Sequence, residues 1–190
     1  MNANGNREAW LQTAVVAMTP LFQSHGYTIP EVRVACGFPS RSAISNRNRR
    51  IGECWSTECA SDKRSQIFIS PTLESCEAVL ATLVHEVVHA VVGLKAKHGA
   101  AFKRCAVAVG LTGKMTATTA TPELVATFGT WNLGTYPHSG LSAMSRTKQS
   151  TRLLKCQCAE CGYTIRTTAK WIEAAGAPLC PCNSDPMAVA

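Results

Sequence analysis

The stretch LVHEVVHAVVGLKAKHGAAFKRCAVAVGL, residues 83–111, carries the densest chemical pattern in the chain and decides its fold. Apolar pairs recur at a spacing of four, at 79/80, 83/84, 87/88 and 91/92, which predicts a helix from about Leu73 to Val92. Gly93 is the predicted stop of that helix, and residues 99–110 predict a second helix. The segment thus predicts two consecutive helices joined by a short loop.

The first of these helices contains the motif H-E-x-x-H, with His85, Glu86 and His89 as its fixed positions. Four residues make about one helical turn, so both imidazoles leave the same face and can bind one zinc ion. Glu86 is rotated by about 100° from His85, where it is poorly placed as a ligand but can hydrogen-bond a metal-bound water. Two hydrogen-bonded core histidines are the alternative interpretation, and the helical placement favours the metal site.

A catalytic zinc site needs a third protein ligand. Lys95 stands where the metzincin pattern places its third histidine, so that class is excluded. The remaining candidates are His98, His25, His138 and some acid. His98 is the best placed, because it follows a loop long enough to turn back and precedes the second predicted helix.

These residues resemble the SprT-like zinc metallopeptidase family, to which Spartan-type proteases belong. The family pattern, H-E-x-x-H-A on one helix and H-G-x-x-F/W-K opening the next, is matched by His85, Glu86, His89, Ala90, His98, Gly99, Phe102 and Lys103. The segments GFPS, RRIGECWS, GLTGKMTAT and RLLKCQCAECGYTIRTT are similar to SprT-like proteins encoded by phages and prophages. The resemblance covers about residues 30–185.

The resemblance implies a zinc endopeptidase in which His85, His89 and His98 bind a catalytic Zn²⁺ and Glu86 is the general base. It also implies that the strand at 66–70 holds the substrate backbone by β-addition, as the equivalent strand does in related zincins. An oxyanion partner for the zinc is expected as well. Tyr136 and His138 are the polar pair considered for that role, although an ordinary loop tyrosine and histidine are the favoured alternative.

A second pattern lies near the C-terminal end of the sequence, where five of the ten cysteines cluster. Two pairs, Cys158-x2-Cys161 and Cys180-x-Cys182, are separated by 18 residues and predict a zinc ribbon with one structural Zn²⁺. Gly162 permits the tight turn that lets backbone amides point at the sulfurs. A closed site of four thiolates would let a short segment fold without a large core.

Three other cysteines leave alternatives open. Cys156 forms a C-x-C pair with Cys158, and this pair could supply the zinc ligands instead of Cys158 and Cys161. Spacing alone does not decide between the two pairs. Cys54 and Cys59 could pair or bind metal, but buried or idle thiols are the favoured interpretation.

The remaining patterns complete an α+β fold: a minimal zincin-like metallopeptidase core with a C-terminal zinc ribbon. Residues 7–25 predict a helix that Pro20 bends or interrupts. Strands are predicted in YTIPEVRVACGFP, RRIGECWS and QIFIS, and part of 121–133 is predicted to be helical. The predicted organisation is a SprT-like zincin core at 1–135, a basic connector at 136–151 and a zinc ribbon at 152–190.

Charge and composition indicate which classes of partner the chain could bind. The net charge of +7 and pI near 9.0 are compatible with a polyanionic partner. The tail carries a basic excess and two aromatic residues, Tyr163 and Trp171, that could stack on unpaired bases or pack over the small core. The cations are Arg146, Lys148, Arg152, Lys155, Arg166 and Lys170, opposed within 146–170 only by Glu160.

Two functions from different classes follow. The first is an endopeptidase with a protein substrate, acting on nucleic-acid-associated proteins. The second is a non-proteolytic DNA-binding or transcription-associated protein that retains a zincin fold, and the intact Glu86 favours the first. The sequence shows no signal peptide and no membrane span, so we expect a cytoplasmic monomer in a bacterial cell or a phage-infected host.

Overall fold

The computed structural model describes residues 5–45, 47–137, 140–142 and 153–189. The chain divides into two compact units, Met1–Ala143 and Met144–Ala190. Their described residues form a mixed α+β structure with five helices and small sheets. Within these residues, no helix is both long enough and apolar enough to cross a membrane.

The first unit contains four helices, namely α1 (Arg7–Ser24), α2 (Cys76–Val92), α3 (Ala100–Ala108) and α4 (Pro122–Thr130). Side-chain caps begin three of them: Asn6, Ser75 and Thr121 accept backbone N–H bonds at the N-termini of α1, α2 and α4. α1 runs through Pro20, so of the two predicted effects of this proline, a bend or an interruption, the interruption does not occur. Pro20 and Val16, whose carbonyl loses its helical donor there, lie on the exposed side, where water can replace the lost bond.

A three-stranded sheet packs against these helices. Its strands are β1 (Val32–Cys36), β2 (Gly52–Trp55) and β3 (Ser65–Ile69), in the order β1-β3-β2. β3 is therefore the central strand, parallel to β1 and antiparallel to β2. β2 is an edge strand, and it contacts α2.

A two-stranded antiparallel hairpin, β4 (Leu111–Lys114) and β5 (Ala117–Ala120), follows α3. The sequence does not predict these strands, because the two-residue loop, Met115-Thr116, lacks the Asn-Gly or Asp-Gly signal of tight hairpins. Most of its side chains are also exposed, so no apolar alternation marks it. β5 contacts α2 and α4.

The core of this unit surrounds α2, whose side chains are buried on more than one face. Its own Leu83 and Val87 are fully buried, and fully buried side chains of α1, β3 and α3 meet it, among them Trp10, Phe22, Ile67, Ile69 and Phe102. Removing such surface from water contributes about 25 cal/mol per Å². α2 is therefore the central element against which the neighbouring elements of this unit pack.

The second unit has a small antiparallel sheet of β6 (Leu154–Gln157), β7 (Thr164–Thr167) and β8 (Ala188–Val189), in the order β7-β6-β8. A short helix, α5 (Ala169–Ala175), follows β7. Its buried apolar set is small and sulfur-rich: Cys156, Cys158, Cys180 and Met187, with Ile165 and Ile172 packed against them. So few apolar side chains give this unit little hydrophobic stabilisation of its own.

Candidate metal centres

α2 presents His85 and His89 on one face, as their spacing predicts. His89 is buried and His85 is half-buried. Burial lowers the pKa of His85 to about 4 and that of His89 to about 3, so both imidazoles are neutral near pH 7. Neutral imidazoles are the form of histidine that binds metals.

The loop after α2 brings His98 back to this face. α2 ends at Gly93 with a φ of +80°, and a 3₁₀ turn follows at Leu94–Ala96. Lys97 then adopts a φ of 46° and a ψ of −129°, a conformation that side-chain-bearing residues rarely take. This turn directs the chain so that His98 stands beside the α2 histidines, just before α3.

The three imidazoles meet through their Nε2 atoms. Nε2 of His98 lies 3.3 Å from Nε2 of His85 and 3.1 Å from Nε2 of His89. Zn–N bonds of about 2.0–2.1 Å at tetrahedral angles place ligand nitrogens about 3.3–3.4 Å apart. The donor set and its spacing therefore fit one zinc ion with an open fourth position.

Two further residues fix the rings. The Phe102 ring contacts all three imidazoles, with centroid separations of 4.9 Å to His85, 4.5 Å to His89 and 4.9 Å to His98. Thr118 on β5 places its Oγ1 2.8 Å from Nδ1 of His85. When that hydroxyl accepts a hydrogen bond from Nδ1–H, the lone pair of His85 is left on Nε2, where the rings converge.

Glu86 is buried behind these rings, with 6% of its surface exposed. Burial raises the pKa of its carboxyl to about 8, partly opposed by the positive charge of Arg50. The backbone N–H of Cys54, on edge strand β2, lies toward this carboxylate and lowers its pKa. A carboxyl with a pKa near neutrality can both accept and release a proton.

Gly52 allows β2 to approach Glu86 this closely. A Cβ at position 52 would lie 2.5 Å from Oε1 of Glu86 and 2.7 Å from Cγ2 of Thr82. Any other residue at this position therefore clashes with the buried carboxylate. A lone glycine inside a predicted strand, as in RRIGECWS, is a sequence signal of such close approach.

These groups line a cleft of about 770 Å³. α2, β2 with the residues before it, the Leu94–His98 loop and the β4–β5 hairpin contribute its walls. The charged side chains that line it are Arg49, Arg50, Glu53, Glu86, Lys97 and Lys114. The cleft has the size typical of ligand-binding sites.

The expectation that the 66–70 strand holds a substrate backbone is wrong. That segment is β3, which is paired with β1 along one edge and, over Gln66–Ile69, with β2 along the other. No backbone group is left there for a further strand. The free edge beside the histidines belongs to β2.

Tyr136, one member of the proposed oxyanion pair, is not at this site. Tyr136 is buried in the core, with its ring 5.0 Å from that of Trp10, and it does not line the cleft. His138 lies outside the described residues. His25, another ligand candidate, caps the C-terminus of α1 and is not part of the histidine cluster.

In the second unit, the four predicted cysteines assemble. The Sγ atoms of Cys158 and Cys182 are 3.8 Å apart, those of Cys161 and Cys180 3.5 Å, and those of Cys180 and Cys182 3.3 Å. A tetrahedral zinc with bonds of about 2.3 Å places its sulfurs about 3.8 Å apart. Backbone N–H bonds, first from Cys161, lower the pKa of the Cys158 thiol to about 7, which favours the thiolate that binds metals.

The two cysteine turns share one backbone pattern despite their different spacing. In the first, the N–H of Gly162 donates to Cys158 O over 3.2 Å, and in the second the N–H of Ser184 donates to Cys180 O over 2.8 Å. Both donors have positive φ, 74° at Gly162 and 61° at Ser184. The N–H groups of Cys158 and Cys180 are likewise each bonded to the carbonyl five residues on. The C-P-C pair therefore forms the same turn as the C-x-x-C pair.

The remaining cysteines play other parts. Cys156 is fully buried on β6, paired with Ile165 and Val189, and is not one of the four clustered sulfurs. Cys54 and Cys59 are free thiols. Burial raises the pKa of Cys54 to about 12, so it stays protonated.

The chain was compared with protein-family models, with curated proteins and with solved structures, and nothing matched in any of the three comparisons. The chemistry assigned to the two clusters therefore depends on their own geometry.

Proposed function

We propose that this protein is a zinc-dependent endopeptidase of the SprT-like type, with a minimal zincin-like core. The observation that carries the proposal is the convergence of three imidazole Nε2 atoms, at 3.1 and 3.3 Å, beside a buried carboxylate. A purely structural zinc site fills all four positions, whereas three histidines leave one open. The buried Glu86 has no role in such a structural site.

The histidines hold the metal, and Glu86 moves the proton. Zinc bound by His85, His89 and His98 supplies a Lewis acid that polarises a carbonyl and acidifies water. Glu86 accepts a proton from the attacking water and releases it to the leaving amine. The Cys54 N–H orients its carboxylate, and Phe102 keeps bulk water from the ring faces.

We propose that substrate binds as an extended strand along the free edge of β2. In antiparallel pairing, backbone groups alternate between the two sides of a strand. The Cys54 N–H points to Glu86, so the backbone groups of Gly52 face the same way, into the cleft. A peptide paired there lies next to both the carboxylate and the histidines.

We propose that the cysteine cluster of the second unit is a zinc ribbon with a structural ion. Four sulfurs close the coordination sphere, so this ion takes no part in hydrolysis. Contact with nucleic acid is a further proposal for this unit. It is supported by the exposed rings of Tyr163 and Trp171 and by Lys170, whose Nζ lies 5.7 Å from the Trp171 ring centroid.

The proposal is tested by incubating unfolded and nucleic-acid-associated proteins with the wild type and with Glu86→Gln. We expect cleavage by the wild type to fall by about 10²–10⁴ in the variant, because the general base is lost while zinc is retained. Glu77→Gln, an exposed acid on the same helix, is the matched control. If Glu86→Gln retained every activity of the wild type, the non-proteolytic alternative would replace this proposal.

A further inference from the structure

We infer that the cleft selects acidic peptide segments, with Lys97 and Lys114 as specificity-determining residues. This inference rests on the proposed endopeptidase function and names its substrate class. It follows from the charges that line the cleft, their pairing, and the free strand edge between them.

The cleft carries four cationic side chains around three neutral imidazoles. Arg49 and Arg50 precede β2, Lys97 adjoins His98, and Lys114 ends β4. Cations thus stand on the strand wall and on the loop and hairpin walls. A segment that crosses the cleft meets positive charge from each of these sides.

The acidic residues of the cleft do not neutralise this charge. Glu53 is committed to the strand wall: it forms an ion pair with Arg50 and accepts hydrogen bonds from Ser40 and Trp55. Glu86 is buried, and the Cys54 N–H lies toward its carboxylate. Among the described residues, Arg49, Lys97 and Lys114 form no ion pair.

The surrounding charge distribution points to the same place. Residues 1–143 contain thirteen Lys and Arg against nine Asp and Glu, whereas residues 153–189 contain three of each. The basic stretch at 41–50 ends in the cleft wall with Arg49 and Arg50. The described part of the second unit therefore offers no net positive surface, and the cleft does.

A peptide fits these features better than a nucleic acid. The free edge of β2 offers backbone donors and acceptors that match an extended peptide, and a sugar–phosphate chain has no complementary amide ladder. A peptide strand on that edge holds its side chains toward the cationic walls at every second residue. Asp or Glu at those positions can form ion pairs with the cations of the cleft that have none among the described residues, Arg49, Lys97 and Lys114.

Binding is measured with the full, zinc-loaded Glu86→Gln chain, which holds peptide without cutting it. Two labelled peptides of one sequence are compared, one with Asp and Glu and its twin with Asn and Gln. We expect the acidic peptide to bind at least about fivefold more tightly at low salt, with the difference shrinking as salt rises. Lys97→Gln with Lys114→Gln removes the difference. Lys95→Gln, an exposed lysine outside the cleft, retains it.

The outcomes separate this inference from the proposed function. If the Glu86→Gln chain with Lys97 and Lys114 intact binds the two peptides equally, the inference is overturned, even if the wild type cuts both peptides. Acidic preference without Glu86-dependent cleavage retains the selectivity and overturns the endopeptidase function. If a single-stranded oligonucleotide binds through Lys97 and Lys114 while the twins bind equally, the cations serve nucleic acid and the inference is overturned.

Discussion

Thr118 shows how a single hydroxyl outside any motif completes the histidine site. Its Oγ1 lies 2.8 Å from Nδ1 of His85, the ring nitrogen that points away from the cluster. Hydrogen-bond partners of this kind set the tautomer of a metal-binding histidine and the orientation of its ring. The residue therefore belongs to the site as much as the ligand it orients.

Replacing this hydroxyl tests its role. We expect Thr118→Val, which has nearly the same shape, to weaken zinc binding by about 10- to 100-fold. Thr119→Val, on the opposite face of the same strand, is the control and leaves zinc affinity unchanged. Competition with a chelator of known affinity measures both, and equal affinities in the two variants would rule out this role for Thr118.

Gly52 gives a second prediction at this scale. We expect Gly52→Ala to destabilise the first unit by about 1–3 kcal/mol, because its Cβ overlaps the Glu86 carboxylate. Cleavage should fall with it, since Glu86 or β2 must move. Gly129→Ala, an exposed helical position with open space around it, should instead add up to about 1 kcal/mol. Thermal unfolding compares the two, and an unperturbed Gly52→Ala would contradict the close approach.

Some residues of the site could be predicted from local sequence patterns and others could not, for a physical reason. His85, Glu86 and His89 lie within one turn, so helical periodicity alone relates them. His98 needs a loop conformation that no spacing rule encodes, and only the family resemblance assigned it as a ligand. Thr118 is 33 residues from its partner, and no local pattern connects the two.

At the scale of elements, the three strands of the first sheet were foreseeable but their order was not. Apolar runs and turn residues placed three strands near their observed positions. Strand order depends on pairings between distant segments, such as Val32–Cys36 with Ser65–Ile69. Local sequence patterns carry little of that information. The role expected of β3 was wrong for this reason, since a strand's place in its sheet decides whether it has a free edge.

The free edge of β2 predicts how substrates respond to backbone changes. We expect N-methylation of one amide of a cleaved peptide, at a position paired with β2, to lower kcat/KM at least about tenfold through loss of a hydrogen bond and a steric clash. Methylation at the adjacent amide, which points away, should have little effect. A scan along the peptide measures the alternation. Uniform effects at all positions would exclude strand pairing.

At the scale of the whole molecule, the two units depend on different forces. The first has a continuous hydrophobic core around α2. The second buries few apolar side chains, and in the proposed zinc ribbon a common ion would hold its two cysteine turns together. Metal binding of this kind is coupled to folding and contributes about 10–16 kcal/mol in small zinc domains.

This difference predicts selective unfolding of the second unit. We expect Cys161→Ser to lose one zinc per chain and unfold residues 153–189, while the first unit retains its thermal transition. Cys156→Ala is the control, because Cys156 is buried but is not one of the four clustered sulfurs. Zinc analysis with amide hydrogen exchange by segment checks both. If Cys156→Ala also lost zinc, Cys156 would be a zinc ligand and the assigned set of four cysteines would be wrong.

The central claim is that the first unit binds zinc through three histidines, and one metal analysis tests it most directly. The protein carrying Cys158→Ser and Cys161→Ser, purified without chelator, can hold zinc only in the first unit. The account predicts about one zinc per chain, and none once His98→Ala is added. A folded first unit that contains no zinc in the cysteine variant would contradict the claim and remove the basis for hydrolysis at this site.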